Sequence, residues 1–182
     1  MKISPTKIDG VFIINTTLYE DERGFFYESW NKKEFDKVIN QDVNFVQDNY
    51  SKSFFGSIRG LHYQLEHPQA KLIRVVFGEV RDIVVDLRES SKTFGEHLSI
   101  NLTAKENNQI WIPVGCAHGF STLTESADIV YKVSDYYYPE DERCIKHDDF
   151  DLKIDWGLCK LMPKISEKDA KCLPFRGSKY FE

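Results

Sequence analysis

Leu72-Ile73-Arg74-Val75-Val76-Phe77-Gly78-Glu79-Val80-Arg81-Asp82-Ile83-Val84-Val85-Asp86-Leu87 is the stretch whose reading decides the fold. Both halves are rich in β-branched residues and a glycine separates them, so each half reads as a strand and Gly78-Glu79 as the turn of a β-hairpin. Period two persists outward. Leu98-Ser99-Ile100-Asn101-Leu102 alternates, Gln109-Ile110-Trp111-Ile112 stops at Pro113, and Ala127-Asp128-Ile129-Val130-Tyr131-Lys132-Val133 supplies a further strand. Short strands broken by turn residues at short intervals point to an all-β protein, specifically a jelly roll of antiparallel strands. Helical patterning is confined to two places. Over Asn31 to Val38, Asn31 is a candidate cap and Phe35 and Val38 share a face; over Ser166 to Ala170, Ser166 caps and Asp169 falls in the first turn. No repeat, linker or low-complexity tract divides the chain, so residues 1–182 read as one domain, with the turn-rich stretch from Asp155 to Glu182 wrapping the barrel.

Composition narrows the function. Lys and Arg total 24 against 29 Asp and Glu, a formal net charge of −5, which excludes a general polyanion binder such as a nucleic-acid protein. Any phosphate must be held by a local basic site. The four cysteines, Cys116, Cys144, Cys159 and Cys172, form no C-x-x-C pair and follow no secretory segment, a pattern that reads as a reduced, cytoplasmic protein. No apolar run approaches the roughly 20 residues of a membrane-spanning helix.

The polar chemistry gathers around Ile58-Arg59-Gly60-Leu61-His62-Tyr63-Gln64. Strict alternation points Arg59, Leu61 and Tyr63 one way and Gly60, His62 and Gln64 the other, putting His62 in a barrel interior with Lys71 and His118. That company is expensive for a plain core. Gly115-Cys116-Ala117-His118-Gly119-Phe120 reads either as a turn that places His118 at the barrel mouth or as a strand connection whose His118 is merely exposed. His62, Glu79 and His118 could form a facial metal set, but Gln64 stands where an H-x-H pair would need its second histidine, so a metal-free pocket is expected. Arg23 and Arg59 offer planar forks suited to a diphosphate. Phe25, Phe26 and Tyr27 read as core on pattern, with a nucleobase platform as the alternative. Tyr131 lies on a strand with Lys132 facing away, a candidate proton donor if it lines the pocket. Spacing alone gives Asp169 a helix-start role and does not place it beside His62.

Taken together, these residues resemble a known family. Asp21-Glu22-Arg23-Gly24-Phe25-Phe26, Phe45-Val46-Gln47-Asp48-Asn49, Arg59-Gly60-Leu61-His62-Tyr63-Gln64, Pro68-Gln69-Ala70-Lys71, Ala117-His118-Gly119-Phe120, Tyr131-Lys132 and Ile154-Asp155-Trp156 are similar, in order and register, to the dTDP-4-dehydrorhamnose 3,5-epimerases. The resemblance implies a cupin-type jelly roll and a homodimer, without metal or cofactor, acting on a dTDP-linked 4-keto-6-deoxyhexose in L-rhamnose synthesis. It implies His62 as the base, Asp169 as its orienting carboxylate, Lys71 beside the enolate oxygen and Tyr131 as the acid on the opposite face. It further implies substrate contacts from Arg23, Phe26, Glu28, Gln47, Asp48, Asn49, Arg59, Lys71, His118, Glu142 and Lys168, with Phe26 near the thymine. Val114 and Cys116 depart from the family pattern, and Lys171 to Glu182 carries none of its motifs. Alternatives of the same fold are inversion of carbon 3 only or another nucleotide-linked 4-keto sugar. A non-catalytic sugar-nucleotide module is disfavoured, because mere binding needs no acid and base on opposite faces.

Overall fold

A computed structural model of the chain describes residues 1–159 and 162–182. It begins with β1 (Lys2–Pro5), β2 (Phe12–Asn15), the short pair β3 (Tyr19–Asp21) and β4 (Gly24–Phe26), and the helix α1 (Lys32–Ile39). Then follow β5 (Gln47–Phe54), β6 (Ile58–Gln64), β7 (Lys71–Phe77), β8 (Glu79–Asp86) and β9 (His97–Thr103). The last strands are β10 (Asn108–Ile112), β11 (Cys116–Thr122), β12 (Ser126–Val133) and β13 (Glu142–Cys144). Two antiparallel sheets result, ordered β1-β2-β10-β7-β12-β5 and β13-β6-β11-β8-β9, with β3-β4 as a separate ribbon. This is the expected jelly roll.

The deciding stretch forms two strands but not a hairpin. β7 pairs β10 and β12, whereas β8 pairs β9 and β11 in the other sheet. Alternation explains why: Ile73 and Val75 on β7 and Val80 and Val84 on β8 each form an apolar row, and both rows meet in one core between the sheets. Periodicity specifies the face a strand buries and leaves its partner open. The chain changes sheet at Gly78, whose φ is +75° and where a Cβ would lie 2.2 Å from the Ser126 carbonyl oxygen, so only glycine fits.

The outer faces are covered differently. Phe35 and Ile39 of α1 pack with Ile14, Leu72 and Trp111 on the six-stranded sheet. Each such side chain stabilises by about 1.5–3 kcal/mol when fully buried. Asn31 caps α1 by accepting from the Glu34 N–H at 3.3 Å. The five-stranded sheet is covered by the tail, where Trp156, Leu158, Ile165 and Phe175 pack over Ile83, Val85 and Ala117. Isolated parallel bridges at Ser57–Lys164, Ile145–Leu173 and Arg88–Phe181 hold that tail, as its turn-rich pattern suggested.

Three expectations are corrected. Cys144 and Cys172, read as reduced, form a disulfide; pairing of Ile145 with Leu173 brings together cysteines 28 residues apart, a proximity that no local spacing reveals. Gly115 to Phe120 is mostly strand rather than turn, because β11 lies between β6 and β8 and its backbone is paired on both sides. Residues 169–171 form a single 3-10 turn rather than a helix, although the Ser166 hydroxyl does accept from the Asp169 N–H at 3.0 Å.

Candidate active site

The strict alternation expected along β6 fails at one point, and that failure builds the site. His118 of β11 faces His62 of β6, but Phe120 faces Arg59, so two steps on β11 match three on β6. The extra residue is a β-bulge and inverts the parity of everything before it. Arg59, expected opposite His62, therefore lines the same cavity. Gly60 sits at the bulge with φ +109°, and a Cβ there would come within 2.6 Å of the Gly119 Cα and the His118 carbonyl oxygen. Leu61 and Tyr63 turn to the outer core, as alternation required.

The cavity, of about 500 Å³, lies between the sheets and is lined by Arg59, His62, Lys71, His118, Tyr131, Lys168 and Asp169, among others. A second cavity of about 300 Å³ shares His62, Lys71 and Tyr131 and adds Gln47, Asn49, Tyr137 and Glu142. The five-stranded sheet contributes His62, Arg59 and His118; the six-stranded sheet contributes Lys71, Tyr131, Gln47 and Asn49. His62 and Tyr131 thus project from opposing walls.

His62 Nε2 lies 2.6 Å from Asp169 Oδ1. Burial pushes the Asp169 carboxyl up, but the hydrogen bond and charge of His62, with the Gly60 N–H and Ser166, outweigh it and hold the group below its ordinary value. A carboxylate only accepts, so Nε2 donates the hydrogen to Asp169, and Nδ1 is the ring nitrogen left on the other side, 3.9 Å from Glu142 Oε1. Burial lowers the Lys71 ammonium to about 8, partly opposed by the charge of Asp82. Burial also raises the Tyr131 phenol, with Arg59 pulling the other way. Arg59 donates through Nε to Ser53 Oγ at 2.8 Å, which leaves much of its guanidinium fork for a ligand. Lys168 pairs with Glu142, whose Oε2 also accepts from the Tyr137 hydroxyl at 2.8 Å. One wall thus holds an imidazole hydrogen-bonded to a carboxylate; the facing wall holds an amine and a phenol.

Residues 5–177 match the model of a family described as dTDP-4-dehydrorhamnose 3,5-epimerase. The chain belongs to this family. The dTDP-4-dehydrorhamnose 3,5-epimerase of Pseudomonas aeruginosa is 45% identical over 100% of this chain and 99% of its own. The crystal structure of the enzyme of that name from Elizabethkingia anophelis superposes with a TM-score of 0.94 at 43% identity, covering 99% of both chains. A dTDP-6-deoxy-D-glucose-3,5-epimerase from Legionella pneumophila, solved in complex with dTDP-4-keto-L-rhamnose, gives 0.93 at 44% identity over 96% of this chain and 93% of its own.

Within this member of the epimerase family, four expected contact residues lie away from the cavity. Asp48 faces outward between Gln47 and Asn49 and pairs with Lys132 at 3.1 Å, as strand alternation demands. Glu28 is exposed and accepts from the Asn31 amide at 3.1 Å. Arg23 and Phe26 sit on the β3-β4 ribbon, where Arg23 pairs with Asp21 and Phe26 is 70% exposed. The core reading of Phe25 and Phe26 is therefore overturned, since the ribbon joins neither sheet and leaves both rings exposed among the described residues; Tyr27 is half-buried and accepts from Arg74 at 3.1 Å. The Gln64 amide donates to the His67 and Tyr136 carbonyls and its oxygen accepts from the Tyr138 N–H, so it clamps a loop. Glu79 accepts from Asn101 at 2.8 Å. Sequence reasoning missed Asp82, which lies 2.8 Å from His118 Nε2, although a charge on the same face of the strand as Val80 and Val84 was a readable signal.

Proposed function

We propose that the cavity inverts carbons 3 and 5 of a dTDP-linked 4-keto-6-deoxyhexose, giving dTDP-4-dehydro-L-rhamnose. The observation that carries this is the His62–Asp169 pair on one wall facing Lys71 and Tyr131 on the other. A ketone at carbon 4 acidifies the hydrogens at carbons 3 and 5. His62 Nδ1 takes one of these protons, and the electron pair of the broken C–H bond moves to the carbon 4 oxygen as an enolate. Protonated Lys71 stabilises that oxygen, and Asp169 stabilises the imidazolium. Tyr131 returns a proton to the same carbon from the opposite side, so its configuration inverts. Loss of the Lys71 proton near pH 8 sets the alkaline limit of the reaction. Arg59 and His118 hold the diphosphate and sugar, while Gln47, Asn49, Glu142 and Lys168 border the outer part of the cavity.

A homodimer accounts for the residues left outside. The β3-β4 ribbon presents Tyr19, Phe25, Phe26 and Arg23 to solvent, and a second copy of the chain gives these exposed aromatic rings a cavity to complete near the nucleotide. The test is deuterium incorporation from D2O with dTDP-4-keto-6-deoxyglucose, read separately at carbons 3 and 5 and compared with the yield of inverted product. Exchange and inversion at both carbons are expected. Inversion at carbon 3 alone would make the protein a monoepimerase, and exchange at neither would overturn the reading.

A further inference from the structure

The turn that carries Asp169 has little apolar hold on the barrel. From Ser166 to Leu173 only Asp169 and Cys172 are buried, and Leu173 is 55% exposed. Hydrogen bonds inside the turn are local: the Ser166 carbonyl accepts from the Ala170 N–H, that of Lys168 from Lys171, and that of Asp169 from Cys172 at 3.3 Å. They shape the turn without fixing it to a sheet. Apart from the contacts of Asp169 itself, the polar and covalent fastenings of this turn among the described residues run to β13 and its flanks. Lys168 pairs with Glu142 and reaches the Tyr137 hydroxyl at 3.4 Å, through an ammonium that is half exposed and so weakly held. Leu173 donates to the Cys144 carbonyl at 3.3 Å and accepts from the Lys146 N–H at 2.9 Å. Cys172 forms the disulfide with Cys144.

That disulfide closes a circuit around the imidazole. Cys144 faces His62 across the β13-β6 ladder. The bridge leads from Cys144 to Cys172, the Cys172 N–H donates to the Asp169 carbonyl, and Asp169 Oδ1 returns to His62 Nε2 at 2.6 Å. One covalent bond therefore joins the cross-strand partner of His62 to the turn that holds its carboxylate. Cys144 is half-buried on the edge strand β13, whereas Cys172 is 3% exposed, so a small reagent approaches the bridge from the Cys144 side.

We propose that Cys144 and Cys172 are redox-sensitive positioning residues for epimerisation: bridged, they hold Asp169 against His62, and opened by a dithiol they release the turn and lower turnover. This rests on the roles given to His62 and Asp169 above. In the opening step a thiolate of the dithiol attacks one cysteine sulfur and displaces the other as a thiolate. The second thiol of the reagent then displaces the mixed disulfide. The products are two cysteine thiols and the cyclic disulfide of the reagent, so two electrons and two protons pass to the protein. Neither cysteine touches the reacting carbons. Both act through the placement of Asp169.

The test compares the full-length protein before and after treatment with dithiothreitol, with free thiols counted by alkylation and mass spectrometry, and with kcat, dTDP affinity and the thermal midpoint followed in each state. Reduction should lower kcat by about three- to tenfold, less than the roughly 10²-fold of Asp169→Asn, because the carboxylate remains and only its placement is lost. Affinity for dTDP should stay within about threefold, and reoxidation with a small disulfide should restore kcat. In Asp169→Asn the same reduction should change kcat by less than about twofold, since the group it acts through is gone. A double variant, Cys144→Ala with Cys172→Ala, should match the reduced protein and ignore the dithiol. Four free thiols before reduction, an unchanged kcat, an equal loss in Asp169→Asn, a loss confined to dTDP affinity, or no recovery on reoxidation would overturn the proposal. So would a dithiol response in the double variant, or failure of both the reduced protein and that variant to stay folded. An oxidised wild-type protein that exchanges neither carbon would remove the epimerase reading itself, a failure visible before any reductant is added.

Discussion

Two histidine–aspartate pairs face one cavity from neighbouring strands, and they are built in opposite ways. His62 and His118 are cross-strand partners on β6 and β11. The carboxylate of His62 comes from Asp169, 107 residues away, on a tail segment tied down by Ser166 and the Cys144–Cys172 disulfide. The carboxylate of His118 comes from Asp82 on the adjacent strand β8, placed by sheet register alone. The His62 side chain is 26% exposed and that of His118 12%. The difference teaches a division of labour. A base must meet a C–H bond, which is why the proposed mechanism assigns proton removal to the more open pair. The deeper pair has the fully buried carboxylate, Asp82, as one of its own members.

The sharpest break in that comparison comes from removing each imidazole in turn. His62→Ala should lower exchange at both carbons by about 10³-fold or more while dTDP still binds, as expected for a group acting in the transition state. His118→Ala should act mainly on KM. Isothermal titration with dTDP beside the deuterium assay separates the two, and equal loss of exchange in both variants would erase the division.

Next in size is the tether of the first pair. Cys172→Ser opens a cross-link between residues 28 apart, for which chain entropy gives about 3–4 kcal/mol of lost stability. Denaturant titration measures it. Asp169→Asn should reduce turnover by about 10²-fold, since the amide still positions the ring but does not stabilise its charge. Unchanged turnover in Asp169→Asn would take Asp169 out of the mechanism.

The smallest effect concerns acid. The Asp169 pKa is depressed in the fold below its ordinary 3.8, so its stabilisation is present above that value and is lost as pH falls through the folded-state pKa. The stability difference between wild type and Asp169→Asn should therefore shrink on acidification below about pH 3.8. A difference constant through that window would show that the His62–Asp169 contact carries no pH-linked stability.

Much of the site was legible because its chemistry is local in sequence. His62, Lys71 and Tyr131 lie on alternating strands, and their inward faces follow from period two. Asp169 was not legible from spacing, since only the path of the tail over the five-stranded sheet brings it to His62. Arg59 was misassigned in its face, because a bulge adds one residue and reverses parity, and no propensity marks where a ladder slips. The outward-facing Asp48 could have been assigned by the same alternation that placed Gln47 and Asn49 in the cavity.

By itself, then, the chain's hydrophobic periodicity determined an all-β protein and which strand faces are apolar, and its cap and helical spacing determined the helix after Asn31, since these depend on bonds and neighbours within a few residues. Its motifs determined the family. Tertiary structure decided which sheet each strand joins, that Leu72 to Leu87 changes sheet at Gly78, and that Cys144 meets Cys172. It also decided that two carboxylates distant from each other in sequence each take a histidine of the same cavity. Those outcomes depend on burying both apolar rows in one core, a condition on the whole chain that no short segment contains.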